Sequence, residues 1–262
     1  MPEFTTDDGV RLHYIVRGKG ALPIIFLHGM GGDAGNWEGL WSAIGHGAFR
    51  YIALDFRGHG ESQREPSTFT NERLARDVLQ LADSLSLAHF NIAGHSFGGK
   101  VALLVAAMAP TRVAGLILFG AAGPAKVQLE REAVEPILKN AGDIEFVRES
   151  FKPWLSVWPR PELDRWLANF VTTPEWAHRA VCEIALWTDI SNETRRITAP
   201  TLVFAGEHDP VYGPAYQRAA VLPTLLNAEL VAVDCGHGLF LERPAEIAAC
   251  CDISRAFSRA VQ

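Results

Sequence analysis

The pentapeptide Gly94-His95-Ser96-Phe97-Gly98 sets one hydroxyl between two glycines, and an apolar run from Val101 to Pro110 follows it. A serine on a sharp turn from strand to helix must adopt a sparsely populated backbone conformation. Side chains two residues before and after would collide there, so glycine is needed at both places. The Oγ would then stand at a helix N-terminus, where the dipole and free N–H groups favour negative charge. That chemistry is nucleophilic attack. The plainer reading, one polar residue in a Gly-rich loop, stays open until the rest of the machinery is found.

A serine hydroxyl is inert at neutral pH without a base, and the base needs an acid to orient it. The run Thr201–Ala205 leads into Gly206-Glu207-His208-Asp209-Pro210, and Glu229–Asp234 leads into Cys235-Gly236-His237-Gly238. His237 is the candidate base. Asp209 is preferred to Glu207 as the acid because it lies further into the loop and precedes Pro210. The order Ser96, Asp209, His237 is the one expected of hydrolases built on such a turn. An earlier post-strand position for the acid, Phe119-GAAGPA, holds no carboxylate. Donors for a tetrahedral oxyanion are the backbone N–H groups of Phe97 and of Met30, the latter in the loop His28-GMGG. Trp37, Trp154, Trp187, Leu239 and Phe240 are the expected pocket walls.

These loops need a rigid frame. Pro23–His28, Arg50–Asp55, His89–Ala93, Val113–Phe119, Thr201–Ala205 and Glu229–Asp234 are short apolar, β-rich runs, preceded by strand-like stretches at Glu3–Thr6 and Leu12–Arg17. Between Asn71 and Leu87, Leu74, Val78, Leu81 and Leu85 recur at helical spacing. Further helices are expected around Trp37 and Trp41, near Tyr212–Val221, and from Pro244 to about Ala260. Strand–helix alternation with continuously apolar strands implies an α/β fold, a mostly parallel sheet with helices on both faces. Residues 123–198 differ: no strand is evident, and they carry five of the seven tryptophans (Trp154, Trp158, Trp166, Trp176 and Trp187). The expectation is a core of residues 1–122 and 199–262 with a helical lid, 123–198, inserted in the same domain.

Composition narrows the classes. The 262 residues carry a net charge of -6, and no Lys/Arg-rich block offers a phosphate-tracking stripe, so nucleic acid is not an expected partner. No apolar run is long enough to span a bilayer, and the polar start MPEFTTDDGV is the wrong chemistry for a secretory signal. Cys182, Cys235, Cys250 and Cys251 show no Cys-x-x-Cys spacing, so they are expected to be free buried thiols in a cytoplasmic protein.

His28-GMGG, Asp55-FRGHGES, Gly94-HSFGG, Gly206-EHDP and Gly236-HGLFLERP, in this order over almost the whole chain, resemble signature segments of the α/β-hydrolase superfamily. They are most similar to its small cofactor-free esterase, enol-lactone hydrolase and haloperoxidase-like members. The resemblance implies a Ser96–Asp209–His237 triad, an oxyanion hole at Met30 and Phe97, and neither metal nor cofactor. It implies a structural role for the Asp55–Ser62 loop and for His28, His59 and His95, and Lys100 reads as an ordinary surface or packing residue. Serine at position 96 departs from the aspartate of haloalkane dehalogenases and epoxide hydrolases. Gly238-Leu239-Phe240 lacks the tryptophan of carbon–carbon hydrolases, and Phe97 replaces the methionine common in haloperoxidases. The expected activity is cleavage of small apolar or aromatic carboxylic esters through an acyl-enzyme. Lactonase, thioesterase and perhydrolase chemistry, a slow-turnover ligand sensor and a non-hydrolytic lyase are the alternatives.

Overall fold

A strand buried on both faces needs apolar residues at nearly every position, and the central runs supply them, while the edge run at Glu229–Asp234 is only partly buried. In the computed structural model, which describes residues 2–158 and 161–250, the runs become β3 (Leu22–Leu27), β4 (Phe49–Leu54), β5 (Phe90–His95), β6 (Val113–Phe119), β7 (Thr201–Gly206) and β8 (Ala228–Val233). With β1 (Glu3–Thr5) and β2 (Arg11–Arg17) they form one eight-stranded sheet in the order β1-β2-β4-β3-β5-β6-β7-β8. β1 pairs with β2 and β2 with β4 antiparallel, and every pairing from β3 to β8 is parallel. Parallel strands place all their C-terminal ends, and the loops after them, along one edge.

Alternation along each strand feeds two cores. Ile25, Leu27, Ile52, Leu54, Ile92 and Leu118 face one side, while Ile24, Phe26, Tyr51, Ala93 and Phe119 face the other. On the first side lie α2 (Asn71–Ser84) and α3 (Phe97–Met108); on the second lie α1 (Glu38–Ile44) and, after the insertion, α11 (Pro244–Cys250). Thr70 caps α2 by accepting from the Arg73 N–H at 3.2 Å, and Leu74, Val78 and Leu81 fill its buried stripe. The helix stops at Ser84, short of the expected Leu87, because the chain turns away at Ser86 with φ 56°.

Between β6 and β7 the chain is helical: α4 (Glu135–Lys139), α5 (Ile144–Phe151), α6 (Pro161–Thr172), α7 (Glu175–Cys182) and α8 (Ser191–Thr194). It has a small core of its own, Ala141, Val147, Leu167 and Phe170. α9 (Pro214–Tyr216) starts two residues after the expected Tyr212 and widens into a π-turn over Gln217–Val221; α10 (Leu239–Glu242) precedes α11. Of the terminal helix, the part beyond Cys250, including Cys251, lies outside the described residues. Cys182 and Cys235 are buried, but Cys250 is exposed, because it is the last residue of α11, a helix that buries only Ile247. No helix among the described residues is long and apolar enough to cross a membrane.

Among the described residues, Arg57 and Lys100 are the cations with no exposed surface. Arg57 is fully enclosed, but its partners are distant in sequence: Asp77 at 2.6 and 2.8 Å and Asp8 at 2.6 and 2.7 Å. Asp55 meets His13 at 2.7 Å and the N–H groups of Ala34 and Glu61 at 2.5 and 2.9 Å. This loop therefore ties the first strands to α2. Lys100, expected as an ordinary helix residue, is also fully buried, and its Nζ donates to the Thr188 carbonyl oxygen at 2.7 Å. Burial pulls its ammonium down to about 8, only partly offset by Asp189. An unfolded lysine titrates near about 10.4, so between pH 8 and that value the unfolded chain holds more protons than the folded one. Stability from this group must rise with pH across that window. Unfolding of wild type and Lys100→Met at pH 7 and pH 10 should show the wild type gaining on the variant as pH rises.

Candidate active site

Ser96 sits between β5 and α3 with φ 54° and ψ −123°, one of two non-glycine residues with positive φ among the described residues. The flanking glycines are required, though by backbone rather than by side chains. A Cβ on Gly94 would lie 2.4 Å from the Gly98 carbonyl oxygen, and one on Gly98 would lie 2.4 Å from that of His28. The turn thus presses the start of α3 onto β5 and the end of β3, and the strain of Ser96 is held by that packing.

Asp209 and His237 arrive on the loops after β7 and β8. His237 Nδ1 lies 2.6 Å from Asp209 Oδ2, while Asp209 Oδ1 accepts from the Val211 and Tyr212 N–H groups at 3.0 and 2.9 Å. Burial works to raise the Asp209 carboxyl, but the charge and hydrogen bond of His237 and those two N–H groups outweigh it and hold the carboxyl below its ordinary value. An ionised carboxylate only accepts, so Nδ1 carries the proton and Nε2 is left with its lone pair. Glu207, the competing acid, is exposed on the same loop and makes no such contact. Ser96 and His237 line one cavity without a hydrogen bond between them, an arrangement common in unliganded sites.

The Phe97 N–H is the first of α3, and neither it nor the Met30 N–H is given to an acceptor among the described residues. The insertion reaches this loop directly: Trp166 Nε1 donates to the Met30 carbonyl oxygen at 3.0 Å, and Asn169 Nδ2 donates to Asp33 Oδ2 at 2.6 Å. His28 is held by its own loop, Nδ1 donating to the Gly29 carbonyl oxygen at 2.8 Å and Nε2 accepting from the Phe56 N–H at 3.1 Å. His95 reaches the site as a scaffold. Its Nε2 donates to the His237 carbonyl oxygen at 3.0 Å, and burial, with the neighbouring His237, pulls its pKa down to about 3, so it stays neutral.

The cavity measures about 180 Å³. Met30, Phe97, Trp154 and Phe240 line it, whereas Trp37, Leu239 and Trp187 lie elsewhere. Trp37 is fully buried beneath the site, stacked on Phe240 at 4.0 Å between centroids and tilted against Phe26 at 5.0 Å. Leu239 faces the sheet from the first turn of α10. Trp187 faces outward, its Nε1 on the Leu129 carbonyl oxygen at 2.7 Å and its ring under Arg131 at 4.4 Å. Walls that sequence reasoning missed are Phe151 and Trp166 from the insertion, Asn36, and Tyr212. Trp166 alone carried a signal, as a member of the tryptophan-rich segment.

A profile of the alpha/beta hydrolase family matches residues 24–250, from β3 to the end of α11. The chain belongs to that family. Among alpha/beta hydrolases it is similar to a non-heme haloperoxidase of Rhodococcus erythropolis, 30% identical over 91% of this chain and 93% of that protein. It is 44% identical to the dihydrolipoyllysine-residue acetyltransferase component of the acetoin cleaving system of Pseudomonas putida, but over 106 residues only. That match takes in 40% of this chain and 28% of the relative's length, and the corresponding Cupriavidus necator protein is likewise spanned over 32% of its length. Among solved structures, the enol-lactonase of Burkholderia xenovorans LB400 superposes with a TM-score of 0.83 at 26% identity, covering 98% of this chain and 100% of that one.

Proposed function

We propose that this alpha/beta hydrolase cleaves carboxylic esters of small, neutral, apolar or aromatic molecules through an acyl-enzyme on Ser96. The observation that carries the reading is the joining of His237 to a buried, ionised Asp209 beside a serine on a strained turn, with Ser96 and His237 both opening into one apolar cavity. His237 Nε2 takes the Ser96 proton as Oγ attacks the carbonyl carbon. Asp209 keeps the imidazole in the required tautomer and stabilises its charged form. The Met30 and Phe97 N–H groups receive the oxyanion, each contributing about 3–4 kcal/mol at the transition state. The imidazolium then protonates the departing alcohol, and water activated by His237 releases the acid.

Substrate class follows from the walls. No Lys, Arg, Asp or Glu side chain lines the cavity among the described residues, so a charged acyl group would be desolvated without a partner. At about 180 Å³ the cavity is smaller than the ~300–1,000 Å³ usual for drug-sized ligands, which selects short acyl chains or a single ring. We read residues 123–198 as the lid that closes over it, and the protein as cytoplasmic. A p-nitrophenyl ester series tests the assignment. kcat/KM should rise by roughly fourfold per added methylene, from ~0.8 kcal/mol each, until the wall is met, and should collapse for an ester ending in a carboxylate. A flat series, or preference for the carboxylate, would sink it. Simple lactones belong in the same panel, since a lactone is an internal ester that the same site can open.

A further inference from the structure

Glu242 has no part in the chemistry above, yet it is buried to 1% exposure five residues beyond the base. Among the described residues no cation pairs with it. Its carboxylate is surrounded instead by backbone N–H donors. Oε2 accepts from Ser156 at 2.6 Å, Val157 at 3.1 Å and Gly236 at 3.2 Å, and Oε1 accepts from Gly238 at 3.1 Å. Gly236 and Gly238 flank His237. Ser156 and Val157 belong to the insertion, directly after the cavity-lining Trp154 and Leu155. The His237 N–H in turn donates to the Trp154 carbonyl oxygen at 2.6 Å.

We infer that Glu242 is a positioning residue which seats the His237 loop and the Trp154–Leu155 wall on one carboxylate, so that the base and the acyl wall are set together. This rests on the role proposed for His237. The side-chain type follows from the four donors. An ionised carboxylate offers about four acceptor lone-pair sites and presents no hydrogen, whereas the amide of glutamine must turn an NH2 toward at least one N–H. Aspartate would fall one methylene short. The geometry is tight on both sides. A Cβ on Gly236 would lie 2.2 Å from the Trp154 carbonyl oxygen, and one on Gly238 would lie 2.9 Å from a Leu155 methyl.

The test is Glu242→Gln in the full chain, with three readouts on protein shown to be folded by circular dichroism. The rate of Ser96 labelling by an aryl phosphonate reports the base and should fall by about 10²-fold, the scale of an ångström of misplacement. KM should rise more for a phenylacetyl than for an acetyl ester, because the wall moves with the base. The downfield proton resonance of the His237–Asp209 hydrogen bond should shift or broaden. A purely structural glutamate would lower the melting temperature and leave all three readouts at wild-type values, and that result overturns the inference. Should the variant not fold, amide exchange of wild type decides. Gly236, Gly238, Ser156 and Val157 should open with one common protection factor, and four independent values would overturn the coupling. If phosphonate fails to label wild-type Ser96, the serine mechanism falls, while the resonance and the exchange pattern still judge the clamp.

Discussion

Ser96→Ala is expected to lower kcat on a p-nitrophenyl ester by roughly 10⁴- to 10⁶-fold with little change in KM. Removal of Oγ deletes the bond-forming atom and leaves the cavity, the N–H donors and the base in place. Residual turnover would come from binding and the oxyanion site acting on water. The substitution keeps a Cβ at φ 54°, so the turn is no more strained than before and the melting temperature should stay close to that of wild type. A phosphonate should label wild type with one equivalent at Ser96 and leave the variant untouched. Full activity in the variant would mean that the turn serves only the fold.

Asp209→Asn should cost about 10⁴-fold in kcat, and the hydrogen bonds here say why. Asp209 Oδ1 is claimed by the Val211 and Tyr212 N–H groups at 3.0 and 2.9 Å, so an asparagine must place its carbonyl there. Its NH2 then faces His237 Nδ1 at the 2.6 Å contact, which only an unprotonated nitrogen can accept. The imidazole is driven to the tautomer with the proton on Nε2, where no lone pair remains to take the serine proton. The phosphonate-labelling rate should therefore fall in step with kcat, and raising the pH should restore neither. A small loss, or rescue by alkali, would place the acid at another carboxylate, and Glu207 would be the one to replace next.

The frame of the site was legible because its signals are local or ordered along the chain. Each buried strand is a continuous apolar run, and Ser96, Asp209 and His237 each stand just past the end of one. The walls were not legible, because which way a ring points depends on packing between distant segments. Trp37 directly follows Asn36 yet faces the sheet, where Phe26 and Phe240 receive it. Glu242 stands within Gly236-HGLFLERP, but two of its four donors come from positions 156 and 157, more than eighty residues away in sequence. Lys100 did leave a trace. A helix apolar all round, as Val101–Ala107 is, must be enclosed on every side, and that holds for the lysine at its start.

The route of the chain through residues 123–198 carries one more consequence. The segment departs from β6 and returns to β7, strands bonded side by side from Leu116–Thr201 to Phe119–Phe204. Its two ends are therefore anchored on neighbouring parallel strands, with Phe119 and Thr201 offset by three residues, roughly 10 Å along the sheet, whatever lies between them, and its loop-closure cost changes only slowly with length. The segment behaves as a cartridge. If the segment is the lid proposed above, exchanging it should alter which molecules are admitted, while the sheet keeps the proposed reacting groups in register. A replacement must reproduce two successive N–H groups for Glu242, a carbonyl for the His237 N–H, an indole for the Met30 carbonyl, an amide for Asp33 and a carbonyl for the buried Lys100.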